Sequence, residues 1–368
     1  MAKKSDVSKR VSVSAWTLVA GVAAGGFFLW GRSYAVPNST EFWELAAQPM
    51  AQSLVGAGAI TAALLALHNG SKIRAQEREH HQQTMDRDRE TNLRDRYTAA
   101  AEQLGDPHGA IREAGVHALS GLADDWLRHG EATENRDYAH SQARVCVHLL
   151  CSYLRANRTQ HDDTSAVSAG SAEEFSSTEI GVRKSIVGVL RERLPAWRKT
   201  EKEWIAAEHL GDADRIVVDL STAMLREVDL TNAELSGAIL VNADLSQSDL
   251  TDAKLIGANL RGAYFGLTIL DDAKLEGADA RGTLFSATQA IRADFTGAQA
   301  QRAQFPGAFM PGAIFKKADL RSAELEIVHS IEGIVFDEDT KYSSRTTWPT
   351  KGFDPKPARK IADSVWKH

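Results

Sequence analysis

The chain has 368 residues, 43% of them hydrophobic and 25% charged, with a formal net charge of −6. That length admits two or three domains, and the composition is that of folded protein rather than of a disordered chain or one made mainly of membrane helices. The mild negative balance implies no nucleic-acid partner, and two cysteines, Cys146 and Cys151, are too few for a disulfide framework and read as reduced, buried thiols.

In chain order, Val11 to Trp30 is a run of twenty residues without a charge, the length of a bilayer-spanning helix. Lys3, Lys4, Lys9 and Arg10 precede it. A second uncharged run, Leu45 to Leu67, is interrupted by Gln48, Pro49 and Gln52 and followed by Lys72, Arg74 and Arg78. The two basic flanks predict a transmembrane helical hairpin over residues 1–68, with spans at 11–30 and 45–67 in contact with the lipid bilayer. Both termini then lie in the cytoplasm, and the protein is multi-pass in the cytoplasmic (inner) membrane. Ser33-Tyr34-Ala35 has the small residues of a cleavage site, so removal of the first segment as a signal peptide is the rival reading.

Residues 69–156 read as a charged helix and a helical spacer. From Ser71 to Arg96, seven basic residues face six acidic ones, the pattern of a solvated helix laced with ion pairs. Ile111, Gly115, Ala118, Leu122 and Trp126 form an apolar stripe, as do Val145, Leu149, Leu150, Tyr153 and Leu154, predicting helices over 108–128 and 135–156. Residues 157–177, rich in Ser, Thr, Ala, Asp and Glu, read as a flexible linker. Residues 178–210 supply a further helix that caps or leads into the region from 211 onward, with Pro195 predicted to kink or divide it. His140, Cys146, His148 and Cys151 invite a zinc site, but on a helix Cys146 and His148 face apart, and the spacing does not support one.

From Leu220 to Leu325 every fifth residue is apolar: of 22 such positions thirteen are Leu, five Phe, three Ala and one Met. Two residues before each stands a small or short side chain, Ala in 16 of the 22. A period of five fits neither a helix nor a strand, since a five-residue step rotates about 140° on a helix and scatters the apolar residues around it. The physical solution is a coil in which each pentad forms one side, the small and large residues turning inward and successive coils stacking over a continuous core.

Units such as Ala233-Glu234-Leu235-Ser236-Gly237 and Ala243-Asp244-Leu245-Ser246-Gln247 resemble the pentapeptide-repeat family, whose unit is A-(D/N)-L-x-x. The resemblance implies a mainly β fold: a right-handed quadrilateral parallel β-helix over 211–325, preceded by the two transmembrane helices and the α-helical spacer, and followed by a C-terminal tail at 326–368. Arg96 to Gly105, and Phe336 to Thr340 with Thr347-Trp348-Pro349, further resemble the spacer and tail of a bacterial membrane-anchored subset.

The function this implies is a membrane-anchored scaffold or protein-interaction module, binding a protein partner or a second copy of itself. The alternative is DNA mimicry directed at a topoisomerase or other nucleic-acid-binding protein, as in some members of the family. No phosphate loop, nucleophile elbow or metal motif is present in the sequence, so no catalytic residue, metal or cofactor is expected. If four pentads make a coil, residues twenty apart stack, and Ile269, Ile291, Phe309 and Pro311, with Ile314 on the adjoining side, gather into an apolar candidate interaction patch. The tail, with Trp348, Phe353 and Trp366, is the rival occupant of that patch. Another side offers Tyr264, Met224 and Leu284.

Overall fold

The computed structural model describes residues 48–133, 135–156, 176–211, 214–330, 332–348, 355 and 358–360, with 48–61 and 359–360 described by backbone alone. The chain divides into two compact units, Met1–Thr84 and Met85–His368.

In the first unit, a helix begins at Gln48; this α1 runs to Leu104. Among the described residues no helix is long and apolar enough to cross a membrane. The expected multi-pass placement in the cytoplasmic membrane is therefore corrected, and with it the bilayer contact. The segment 11–30 and the linker residues 157–175 lie outside the described residues.

In the second unit, the last turns of α1 are joined by three helices, α2 (Gly109–Thr133), α3 (Arg136–Arg155) and α4 (Ser177–Ala206). Their stripes meet in one core that buries Leu119, Leu122, Trp126, Leu150, Leu154, Ile186 and Trp197, each 2% exposed or less. The start of α4 is a capping sequence: the Ser176 hydroxyl accepts the Glu179 N–H at 3.2 Å. The Glu179 carboxylate turns instead into the bundle, accepting Arg183 Nε at 3.0 Å and the Tyr153 hydroxyl at 2.8 Å, with Arg112 Nη2 at 3.5 Å. Arg183 also donates to the Leu154 carbonyl at 2.8 Å, closing the C-terminal end of α3. The helix passes through Pro195 without being divided.

The solenoid is held by parallel β-bridges, of which the first eighteen, from Asp219↔Ile239 to Gln304↔Glu324, join residues twenty apart. Four pentads therefore make each coil, and the coil has four sides. Each side is closed by hydrogen bonds to the coils on either side of it, such as Leu245 N–H to the Tyr264 carbonyl at 2.8 Å and Tyr264 N–H to the Ala243 carbonyl at 2.9 Å. The central apolar residues and the small residues two before them are buried along its whole length. Where the small residue is Ser248, Thr268, Thr283 or Thr288, its hydroxyl donates to a carbonyl of the preceding coil, so no buried hydroxyl is left unpaired at these four positions.

The five phenylalanines occupy two opposite sides. Phe265, Phe285 and Phe305 stack at 5.2 and 4.9 Å between centroids, and Phe295 stacks on Phe315 at 4.8 Å. The two stacks meet edge to face across the axis, as Phe285 and Phe295 do at 5.8 Å and 89°. The other two sides of those coils supply Ala280, Ala290 and Ala300. Large residues on one pair of sides are thus offset by small ones on the other, and the core stays filled at a constant cross-section.

Stacking continues past Leu325. Phe309 bridges Ser330, Ile314 bridges Val335, Asp319 bridges Lys341 and Glu324 bridges Thr347, at spacings of 21, 21, 22 and 23. In this last coil the sides lengthen to six residues: Phe336, Tyr342 and Trp348 are the large positions, with Ile334, Thr340 and Thr346 two before them. Phe336 stacks on Phe315 at 6.1 Å and meets Trp348 edge to face, closing the upper end of the core with aromatic rings. The two-residue strands β1 (Lys341–Tyr342) and β2 (Arg359–Lys360) pair in parallel beyond it. The lower end is closed by the helices: Arg155 donates to the Asp219 carbonyl at 2.7 Å, Arg191 binds the Asp229 carboxylate, and Glu201 accepts the Ile216 N–H.

Candidate interaction surface

The candidate patch lies on two adjoining sides of the upper coils. On the first side, one column of bridged residues runs Asp229, Asp249, Ile269, Gln289, Phe309 and Ser330. Ile269 and Phe309 therefore share a column but are separated by Gln289. Phe309 is 41% exposed and Ile269 half-buried. In the next column Ile291 and Pro311 are successive, the Arg292 N–H donating to the Pro311 carbonyl at 3.0 Å. Ile314 stands on the second side between Asp294 and Val335. The described residues of the tail extend the stack as a further coil rather than folding down over Phe309.

The lower half of the first side is acidic. Asp229 and Asp249 each accept a threonine N–H and hydroxyl two residues on, from Thr231 and Thr251, a local turn that pins the carboxylate. The Arg191 guanidinium, together with those donors, holds the Asp229 carboxyl down at about 2. Arg292 pairs with Asp272 across the coil spacing and lowers its carboxyl as well. Elsewhere Glu234 pairs with Lys254 at 3.0 Å, Asp279 with Arg281 at 2.6 Å and Asp319 with Arg321 at 2.6 Å.

Other apolar residues escaped the column reading. Leu267, Ile327 and Ile256 are 61%, 70% and 41% exposed. Leu267 stands at the last position of its pentad, where the turn requires a positive φ, here 58°. Asn232, Asn242, Asp252, Gly257 and Gly277 fill that place in other units. An apolar residue at a place that favours Gly or Asn was the signal in the sequence.

Among the described residues no group of three or more His, Cys, Asp or Glu is placed to hold a metal ion. Cys146 and Cys151 are buried free thiols, and burial pushes each up to about 12, so neither is a thiolate at neutral pH. His140 points its Nε2 at the Glu201 carboxylate, 3.3 Å away at the seam with the solenoid.

The family description "Pentapeptide repeats" matches residues 218–252, 248–286, 268–305 and 293–326, in eight copies. Residues 218–326 of the chain are pentapeptide repeats. The family supplies the hand of the solenoid, a right-handed β-helix, and its repeats are in general structural or interaction modules. The match covers the repeat and not the N-terminal segments, so it does not extend to a membrane-anchored subset. Among solved structures, one likeness is to QnrB1, a plasmid-mediated fluoroquinolone resistance protein, at 22% identity over 32% of this chain and 64% of that one, with a TM-score of 0.26. Another is to HetL, a pentapeptide repeat protein involved in heterocyst differentiation regulation from the cyanobacterium Nostoc sp. strain PCC 7120, at 25% identity over 36% and 72%, with a TM-score of 0.21. A third is to a pentapeptide repeat protein of the Arabidopsis thaliana thylakoid lumen, at 21% identity over 24% and 59%, with a TM-score of 0.20. The chain spans less than two thirds of the length of the first and third of these. No curated protein matches it.

Proposed function

We propose that this pentapeptide-repeat protein is a non-catalytic protein-interaction module, in which the helical bundle caps and presents a rigid four-sided solenoid. The observation that carries the reading is the patch of Ile269, Ile291, Phe309, Pro311 and Ile314, which the described tail leaves uncovered. Its residues point away from the core, so the fold has no use for their apolar character. The solenoid backbone is paired within the stack along the sides, so a partner is recognised through side chains on a flat face rather than by strand addition. DNA mimicry finds less support, because a mimic needs a dense row of free negative charge, and here Asp229, Glu234, Asp272, Asp279 and Asp319 are each matched by a cation.

The test is the triple change Ile269→Ser, Ile291→Ser and Phe309→Ser in the full-length chain. The melting temperature is expected to stay within a few degrees of wild type. Proteins cross-linked to the wild-type chain in its own cells are expected to be lost from the variant. An identical set of cross-linked proteins from both overturns the reading.

A further inference from the structure

Where the bundle meets the solenoid, one face of α3 looks onto the chain entering the first coil. Ser141, Arg144, Val145 and His148 share that face, since they stand at helical spacing. With Ile216 and Val217 they line an open cleft of about 270 Å³. Ile216 is buried and its N–H is held by Glu201. Its neighbour Val217 therefore points to the opposite side of the extended chain and is 46% exposed. Val145, across the cleft, is 43% exposed. Apolar residues scattered singly on a surface need no explanation, but these two belong to the wall of one cleft and stay open to solvent.

The polar groups beside them are not used up by the fold. Among the described residues the Arg144 guanidinium makes no hydrogen bond. The carboxylate it faces, Asp214, is 3.8 Å away, beyond hydrogen-bonding distance, and already accepts the Gly211 N–H at 3.0 Å. Asp219, the next acid along the chain, is matched by Arg155 at 2.9 Å and accepts the Ser221 N–H and hydroxyl. The His148 ring lies within electrostatic reach of Asp219 and makes no hydrogen bond among the described residues. The Ser141 hydroxyl donates to the Tyr138 carbonyl at 2.7 Å. What the cleft offers a visitor is thus a guanidinium fork and an imidazole, four residues apart on one helix face, above an aliphatic floor.

We propose that this cleft binds a small carboxylic acid with a compact apolar body, either a branched chain or a single ring. The carboxylate accepts from Arg144, whose planar fork matches its two oxygens, and gives up only the long contact to Asp214. His148 supplies a second donor, and the body lies between Val145 and Val217 over Ile216. Size limits the ligand, because the volume falls just under the roughly 300–1,000 Å³ of ordinary small-molecule sites and excludes a nucleotide or a long acyl chain. Charge limits it too: a cation meets Arg144, and a purely apolar molecule leaves the guanidinium without an acceptor. The site goes beyond the reading of the solenoid as an interaction module, since it uses none of the patch residues and joins α3 to the entry of the first coil.

The experiment titrates the full-length chain with benzoate, benzyl alcohol, acetate and benzamidine, following each ligand by saturation-transfer NMR. Benzoate is expected to saturate one site with a Kd on the order of 1 mM or tighter. Benzyl alcohol lacks the charge and acetate lacks the body, so each is expected to bind at least about tenfold more weakly, and benzamidine not at all. Arg144→Gln is expected to bring benzoate down to the level of benzyl alcohol, and Val217→Ser to weaken both. Arg144 is 38% exposed without a hydrogen bond and Val217 faces solvent, so both variants fold as wild type. The triple Ser variant of Ile269, Ile291 and Phe309 is expected to keep its benzoate affinity, and Arg144→Gln to keep the cross-linked proteins, so this site and the patch fail separately. Benzoate that does not saturate by about 10 mM, benzamidine that binds as well as benzoate, or a benzoate affinity unchanged in Arg144→Gln overturns the proposal.

Discussion

The helical bundle and the solenoid belong to one unit of the chain and fill their cores in opposite ways. In the bundle every layer is different: three buried tryptophans, two buried thiols, and the polar group of Arg112, Glu179, Arg183 and Tyr153 each have their own surroundings. In the solenoid the same pair of inward positions recurs in every pentad, and departures are compensated locally, as Ala280, Ala290 and Ala300 accompany the phenylalanine stacks. A unique core depends on each residue finding one partner far away in sequence. A repetitive core depends on each residue resembling its neighbour twenty positions on. The two regions should therefore fail differently when mutated.

The largest effect is expected inside the solenoid. Leu255 is fully buried and its neighbour Ile256 is 41% exposed. Leu255→Asn removes a core side chain and buries an amide with nothing to receive it, a loss of at least about 4 kcal/mol. Ile256→Asn is expected to cost under about 1 kcal/mol. Chemical denaturation of the two variants checks this, and comparable losses would contradict the inward and outward assignment of the pentad.

In the bundle the sharpest loss is expected at Glu179. Its removal in Glu179→Ala leaves Arg112 and Arg183, with side chains 9% and 4% exposed, without their shared carboxylate. Breaking a buried pair from one end costs about 3 kcal/mol or more. Asp125→Ala, which removes the partner of Arg96 on the surface, is expected to cost under about 1 kcal/mol. If the two variants melt together, the buried group does not organise the bundle, and the contrast between a unique core and a repetitive one loses its main support.

The same contrast governs what was legible in the sequence. The period of five, the inward Ala and Leu positions and the placing of Ile269 and Phe309 in one column all follow from repetition, because twenty-residue neighbours are read by counting. Counting stops where the period changes. The last coil was not legible because Phe336, Tyr342 and Trp348 recur at six, and bridge spacings drift from 21 to 23. Leu267 and Ile327 stand outside the counted columns, Leu267 at the turn position of its pentad. In the bundle, stripes such as Val145 to Leu154 mark helices, but nothing local says that Glu179 meets Arg112 across 67 residues.

The smallest effect is expected where the two regions meet. Arg191 on α4 binds Asp229 in the first coil and lies 3.4 Å from Thr231. That guanidinium, aided by the Thr231 donors and opposed by partial desolvation, holds the Asp229 carboxyl at about 2, below the ordinary value of about 3.9. A carboxyl lowered in the folded state contributes stability that is complete above its unfolded value and is lost as pH falls through its folded value. The contribution is thus present at neutral pH and disappears between about pH 4 and about pH 2. Because Asp229 is 61% exposed, solvent screening keeps it under about 1 kcal/mol. Thermal melts of wild type and Asp229→Asn are expected to differ slightly at neutral pH and to converge through this acid window. Hydrogen exchange is expected to show the difference in the N–H groups of the first coil, next to α4, and not in the upper coils. A difference that persists below pH 2, or one spread evenly over all coils, would mean that the ion pair does not join bundle to solenoid and that the first coil is held by Arg155 and Glu201 alone.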